Sequence, residues 1–238
     1  MIALDHAVPL KAVSKIVAPS DVLFVTEASS WGKLGYDLVA AALPSVVPVI
    51  WSPGMPKPDL SGWHGNWILS FKADLILSRS TLERAKKGAI NFHPSPPKYR
   101  GLGGYWWALR NGDKSFGVTA HHMDEQIDHG EIIKTDSFAI LPRETVESLK
   151  ERAAIHSLRL LRATVEDIQG GRPFVSCGTK WEPHLYTSKE LAQAQSVQEA
   201  TARRALGTLA TIHDGIVVLG EAKAEAPRTD RTSRLALG

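Results

Sequence analysis

Val22-Leu23-Phe24-Val25-Thr26 opens the stretch that decides the fold. It is short, apolar and rich in β-branched side chains, the pattern of a strand buried on both faces. Residues 37–43 then read as a helix that stops before Pro44. Val46-Val47-Pro48-Val49-Ile50-Trp51 repeats the buried-strand pattern, although a proline sits badly in a central strand. Residues 67–71 give a third strand, 81–87 a helix closed by Gly88, and 89–92 a fourth strand. Strands and helices alternate across 22–92, and that order predicts an α/β fold with a largely parallel central sheet. In such sheets ligands lie beyond the carboxyl ends of the strands.

Working outward, residues 52–65 carry Pro53, Gly54, Pro56, Pro58, Gly62 and Gly65, which break helix and sheet alike. A loop of that length in a compact domain is often functional. Residues 104–110 read as a helix ending at Asn111-Gly112, and 116–123 and 131–138 as strands, possible partners in an antiparallel pair. Thr145 caps a long helix, with Glu147 in its first turn facing the positive end of the dipole. Gly170-Gly171 stops it. Past residue 180 the pattern weakens to one helix over 188–206 and two short strands over 208–219 turning at Asp214-Gly215.

The composition, 43% hydrophobic and 22% charged, is that of a globular protein. No apolar run reaches the roughly 18 residues of a membrane span. Met1-Ile2-Ala3-Leu4-Asp5 lacks the basic and apolar parts of a signal peptide. The one cysteine, Cys177, forms no internal disulfide, so the expected location is cytoplasmic. A net charge of +3, much of its excess at Arg228, Arg231 and Arg234, gives no clustered basic stripe for nucleic acid.

The chemistry lies in Ile90-Asn91-Phe92-His93-Pro94-Ser95-Pro96-Pro97-Lys98-Tyr99-Arg100-Gly101. Two apart at a strand end, Asn91 and His93 project to one side. Pro96-Pro97 stiffens the chain beyond them. Asn91 offers a neutral donor to a developing oxyanion, and His93 exchanges protons near neutral pH. A carboxylate should orient that histidine. Asp128, in Met123-Asp124-Glu125-Gln126-Ile127-Asp128-His129-Gly130, is the first candidate, with Asp124 its competitor. His121, His122 and His129 raise the question of a metal, but adjacent strand residues point to opposite faces, so none is expected.

Asn91-Phe92-His93-Pro94-Ser95, Tyr99-Arg100-Gly101, Asn111-Gly112-Asp113, Gly117-Val118-Thr119, Met123-Asp124-Glu125 and Ile127-Asp128-His129-Gly130-Glu131-Ile132-Ile133 follow one another in order. That series resembles the formyltransferase superfamily over about residues 66–140. The resemblance implies a Rossmann-like catalytic domain, expected over 1–180, and the weakening pattern after it predicts a small helix and hairpin appendage over 181–226 and a disordered tail over 227–238. It implies Asn91, His93 and Asp128 as the catalytic set and N10-formyltetrahydrofolate as formyl donor, with no metal. An acceptor amine would attack the formyl carbon, Asn91 and protonated His93 would meet the oxyanion, and Asp128 would set the state of His93. The folate pocket would be drawn from Phe71, Leu75, Ile76, Leu77, Asp124, Gln126 and Ile127. Ser95, Tyr99, Arg100 and Trp106 are the acceptor-side candidates.

Ser95-Pro96-Pro97-Lys98 replaces the Ser-Leu-Leu-Pro usual in methionyl-tRNA formyltransferases, which disfavours tRNA. The proline-rich wording and the tryptophans look more like nucleotide-sugar N-formyltransferases, which formylate amino-dideoxysugars for surface polysaccharide. Trp51 and Trp63 flank the proline-rich loop as candidates to stack a base. The alternatives are hydroxyornithine formylation in siderophore synthesis, a methionyl-tRNA enzyme, and a non-catalytic folate- or nucleotide-binding module. A homodimer is compatible with the reading.

Overall fold

The computed structural model describes residues 21–213 and 216–219, with side chains described through Thr201. The chain divides into two compact units, Met1–Leu191 and Ala192–Gly238. In the first, β1 (Val22–Thr26) leads into α1 (Ser30–Ala42), β2 (Val46–Ile50), β3 (Gly65–Phe71), α2 (Arg79–Leu82) and β4 (Ala85–His93). β5 (Arg100–Gly101), α3 (Gly104–Arg110), β6 (Ser115–His122), β7 (Ile132–Ala139), α4 (Val146–Gln169) and β8 (Leu185–Tyr186) follow. The six-stranded sheet runs in the order β2-β1-β3-β4-β6-β7. The first four strands are mutually parallel, as expected, and β6 and β7 complete it antiparallel.

Sequence accounts for most of these elements. All five residues of β1 are buried, which is what its unbroken apolar run requires. Pro48 is tolerated because β2 is an edge strand. Thr145 caps α4 by accepting from the Ser148 N–H, and the Ser148 side chain completes a capping box. α1 begins seven residues ahead of the expected helix. Its glycines lower helix propensity, but a Cβ on Gly35 would lie 2.8 Å from the Phe71 ring, so the helix needs glycine to approach the sheet.

The helix expected over 81–87 is corrected: α2 is a single turn, and Ala85 already belongs to β4. Gly88 is not a helix stop. It sits inside β4 opposite Trp67, at φ 145, where the ladder shifts register between Gly65 and Trp67.

Two apolar layers cover the sheet. Val22, Phe24, Leu69, Phe71, Ile90 and Phe92 face α1, α3 and α4. Leu23, Val25, Ile68 and Ala89 face the other way, under Leu60 and Trp63 of the long loop and Leu75 and Leu77. That loop is therefore half of a core. Trp63 is fully buried, so it has no face to offer a base. Among the described residues no helix is long and apolar enough to cross a membrane.

α5 (Ser188–Leu209), β9 (Ala210–His213) and β10 (Ile216–Leu219) are the helix and hairpin strands expected at this end, the strands pairing antiparallel. The Asp214-Gly215 turn and the tail after Ala226 lie outside the described residues.

Candidate active site

Asn91 and His93 stand at the carboxyl end of β4, two residues apart on one face. β4 is held on both sides there, Asn91 lying opposite Ser70 on β3 and His121 on β6, and His93 opposite Thr119. Asp128 arrives from the loop between β6 and β7 with φ 44, a conformation that aspartate tolerates better than most residues. It is buried although the four residues before it are exposed.

The three side chains meet. His93 Nδ1 lies 3.2 Å from Asp128 Oδ2, and Asn91 Nδ2 donates to Asp128 Oδ1 at 3.3 Å. The backbone N–H of Gly101 donates to Asp128 Oδ2 at 3.0 Å. His93 Nε2 lies 2.8 Å from the Tyr99 carbonyl, which only accepts, so Nε2 carries a proton. A neutral His93 then has its free lone pair on Nδ1, beside the carboxylate.

A fourth side chain belongs to this cluster and was not assigned to it from sequence. His121 Nδ1–H donates to the His122 carbonyl at 2.7 Å, leaving Nε2 to accept from Asn91 Nδ2 at 3.1 Å. Its Nε2 is also 3.4 Å from Asp128 Oδ1. Both amide protons of Asn91 are thus engaged, one on His121 and one on Asp128. Cross-strand pairing of Asn91 with His121 creates this contact, and the only sequence signal was the His121-His122 pair, weighed for a metal alone. Among the described residues no group of three or more His, Cys, Asp or Glu side chains is placed to hold a metal ion.

Burial is the largest influence on His93 and holds its imidazole below the ordinary histidine value, against the upward pull of Asp128 and the Tyr99 carbonyl; His121 pushes the same way as burial. Burial alone would raise the Asp128 carboxyl. The His93 and His121 rings and the Gly101 N–H outweigh it and hold that carboxyl at about 2. The pair therefore rests as a carboxylate beside an imidazole that can take up a proton.

The remaining candidates fall into separate places. Ser95 and Tyr99 are buried. The Ser95 carbonyl accepts from Thr119 Oγ1, and Tyr99 Oη donates to Asp113 Oδ2 at 2.7 Å. Arg100 donates to the Ile127 carbonyl at 3.0 Å, which ties β5 to the Asp128 loop. Trp106 is half-buried, edge-on to Trp107 and beneath Arg110. On the other side a cleft of about 560 Å³ is lined by Arg79, Gly88, Ala89, His122, Asp124 and Gln126, among others. Of the folate candidates, Asp124 and Gln126 line this cleft. Phe71, Leu75 and Leu77 are buried in the core, and Ile76 and Ile127 are exposed and do not line the cleft. Asn91, His93 and Asp128 lie outside the lining as well, adjoining it in sequence through His122 and Gln126.

Residues 67–165 match the formyl transferase family model. The bifunctional polymyxin resistance protein ArnA of Wigglesworthia glossinidia brevipalpis is 39% identical over 110 residues, 46% of this chain and 16% of that protein. A methionyl-tRNA formyltransferase of Agathobacter rectalis is 36% identical over 114 residues, 44% of this chain and 37% of its own. The matched region thus spans well under half the length of either relative. Among solved structures, the formyltransferase PseJ from Anoxybacillus kamchatkensis, in complex with UDP-4,6-dideoxy-4-formamido-L-AltNAc and tetrahydrofolate, aligns with a TM-score of 0.56. It is 21% identical, over 74% of this chain and 90% of that one. An N-formyltransferase from Helicobacter canadensis, in complex with folinic acid and dTDP-3-aminofucose, aligns with a TM-score of 0.58 at 18% identity, over 71% of each chain. At such identities the structural likeness speaks for the fold, and the family match speaks for the segment that holds Asn91, His93 and Asp128. Residues 67–165 are thus similar to the formyl transferase family, and the fold around them is similar to that of solved N-formyltransferases.

Proposed function

We propose that this chain transfers a formyl group from N10-formyltetrahydrofolate to the amine of a small acceptor, a nucleotide-linked amino-dideoxysugar. The observation that carries the reading is the convergence of Asn91, His93 and Asp128, 37 residues apart in sequence, within hydrogen-bonding reach of one another. The cleft lined by Gly88, Ala89, His122, Asp124 and Gln126 is the candidate folate site, and its volume, in the range of ligand pockets, supports that reading. Bound there, the folate supplies an electrophilic formyl carbon.

The side chains divide the remaining work. Neutral His93 would take on Nδ1 the proton that the attacking acceptor amine sheds, with Asp128 stabilising the imidazolium, and return it to the folate nitrogen as the bond from that nitrogen to the formyl carbon breaks. Asn91 gives up one of its two amide contacts to donate to the oxygen on which negative charge develops. His121 and Asp128 keep the amide turned so that its NH2 side, not its oxygen, faces the site. Arg100 holds the loop that carries Asp128.

The nucleotide sugar is favoured by the Ser95-Pro96-Pro97-Lys98 wording and by the ligands in the solved structures of similar fold. The identity to methionyl-tRNA formyltransferases supports a second reading with a tRNA acceptor. Incubation with formyltetrahydrofolate and a panel of dTDP- and UDP-linked amino sugars, hydroxyornithine and methionyl-tRNA separates them, with formylated product detected by mass. An amino-sugar nucleotide is expected to react. Product from methionyl-tRNA alone moves the assignment to the second reading. Folate binding with no product from any amine makes the chain a binding module.

A further inference from the structure

Past α4 the chain returns across the catalytic cluster as a strap. Cys177 N–H donates to the Ile132 carbonyl, Glu182 N–H to the Pro97 carbonyl at 3.1 Å, and Leu102 N–H to the Tyr186 carbonyl at 2.8 Å. β8 pairs with β5, Arg100 opposite Leu185 and Gly101 opposite Tyr186. The strap is thereby tied to the segment that follows His93 and to the start of β7. At its centre stands Trp181, whose ring centroid lies 5.8 Å from His93 and 5.0 Å from His121, edge-to-face with both. Its indole N–H donates to the Gly130 carbonyl at 2.7 Å, two residues beyond Asp128.

We propose that Trp181 is a positioning residue that caps the His93 and His121 imidazoles and pins the Asp128 loop. This rests on the formyl-transfer reading only for its consequence, not for its geometry. The indole does two separable things. Its ring keeps water from the two imidazoles. Its N–H fixes the loop at Gly130, and the Arg100 contact to the Ile127 carbonyl fixes it on the other side of Asp128. The titratable groups that bear on His93 are Asp128, from the loop, and His121, from β6. Replacing Trp181 removes neither group but frees the Asp128 loop at Gly130, so Trp181→Phe, which frees the loop and keeps a ring, is the control that isolates the cover.

The decisive measurement is the titration of the His93 imidazole by NMR, which needs no substrate. In Trp181→Ala the midpoint is expected to rise by about one pH unit as burial is relieved. In Trp181→Phe, which keeps a ring and loses the N–H, it is expected to stay near that of the unaltered protein. In the assay with formyltetrahydrofolate and the reactive amine, the acid limb of kcat/KM should follow the His93 midpoint in each variant. If Trp181→Ala does not fold, Trp181→Leu, which keeps apolar bulk, is expected to show a smaller rise. A His93 midpoint unmoved in every folded variant lacking the ring overturns the proposal. A midpoint that moves in a protein that formylates no amine overturns the formyl-transfer reading and leaves the cap in place.

Discussion

Asn91 and His93 ride on β4, a strand hydrogen-bonded to β3 and β6, whereas Asp128 sits at φ 44 in a loop whose tip is exposed. The strand is fixed by a repeating ladder that any apolar, extended sequence can make. The loop is fixed one contact at a time. Asp124 accepts from the Gln126 N–H at 2.8 Å and lies 2.7 Å from His129 Nδ1. Arg100 holds the Ile127 carbonyl, Gly101 the Asp128 carboxylate, and Trp181 the Gly130 carbonyl. The proposed catalytic set is thus built from a rigid half and a half that depends on distant segments. A site of this kind places its acid–base pair accurately only when the whole domain is folded.

The first way to break this contrast is to ask whether the two halves work as one. Replacing His93 by Asn, or Asp128 by Asn, should each lower kcat/KM for formyl transfer by about a thousandfold. If they form a single proton-handling unit, the double variant should be no more than about tenfold worse than the weaker single variant. Initial rates at saturating folate decide it. Losses that multiply would show that strand and loop contribute independently.

The second concerns the loop alone. A Cβ on Gly130 would overlap the His122 carbonyl oxygen, so Gly130→Ala must push the loop away from β6. A displacement near 1 Å costs on the order of a hundredfold in rate when the shifted group acts on the reaction. The expected outcome is a fall of about 10- to 100-fold in kcat/KM. Gly112→Ala is the control: at φ 66 with nothing near its Cβ, it should cost about 1 kcal/mol of stability and leave the rate alone. Full activity in Gly130→Ala would mean that the loop adapts, and the contrast with β4 would dissolve.

The same contrast explains what could be read in the sequence. The parallel strands, α3 and α4 were legible because burial and capping leave local marks, down to Thr145 and Gly170-Gly171. The helix expected over 81–87 failed because Gly88 carries the same letter whether it ends a helix or kinks a strand. The placing of Asn91 and His93 on one face of a strand end was legible from their spacing, while their proposed roles came from the order of motifs around them. Asp128 was identified through the order of motifs, since nothing local says that its carboxylate turns inward. His121 entered the cluster through its cross-strand register with Asn91, and Trp181 through a chain return of 53 residues after Asp128, neither of which periodicity reveals. The proline-rich loop, read as a break in helix and sheet with a functional role, places Leu60 and Trp63 in the core.

The smallest expected effect is on acid stability, and it isolates the loop-borne carboxylate. Asp128 is held at about 2 in the fold against an ordinary value of 3.8. The folded protein therefore binds this proton more weakly than the unfolded chain does. The stabilisation, about 2 kcal/mol, is present well above 3.8 and is lost as the pH falls towards 2. His93 works in the same sense at higher pH, because its lowered value favours proton uptake by the unfolded chain below about 6.5. The Asp128 part is therefore read as the difference between the unaltered protein and Asp128→Asn, in which this carboxyl is the group removed. Urea unfolding of the unaltered protein and of Asp128→Asn should then differ most at pH 5. By pH 3 about half of that difference, near 1 kcal/mol, should have gone. A gap that stays constant over this range would mean that Asp128 is not held ionised by His93, His121 and Gly101. The loop would then owe its position to Arg100 and Trp181 alone, and the rigid strand would be the only half of the site that tunes its own chemistry.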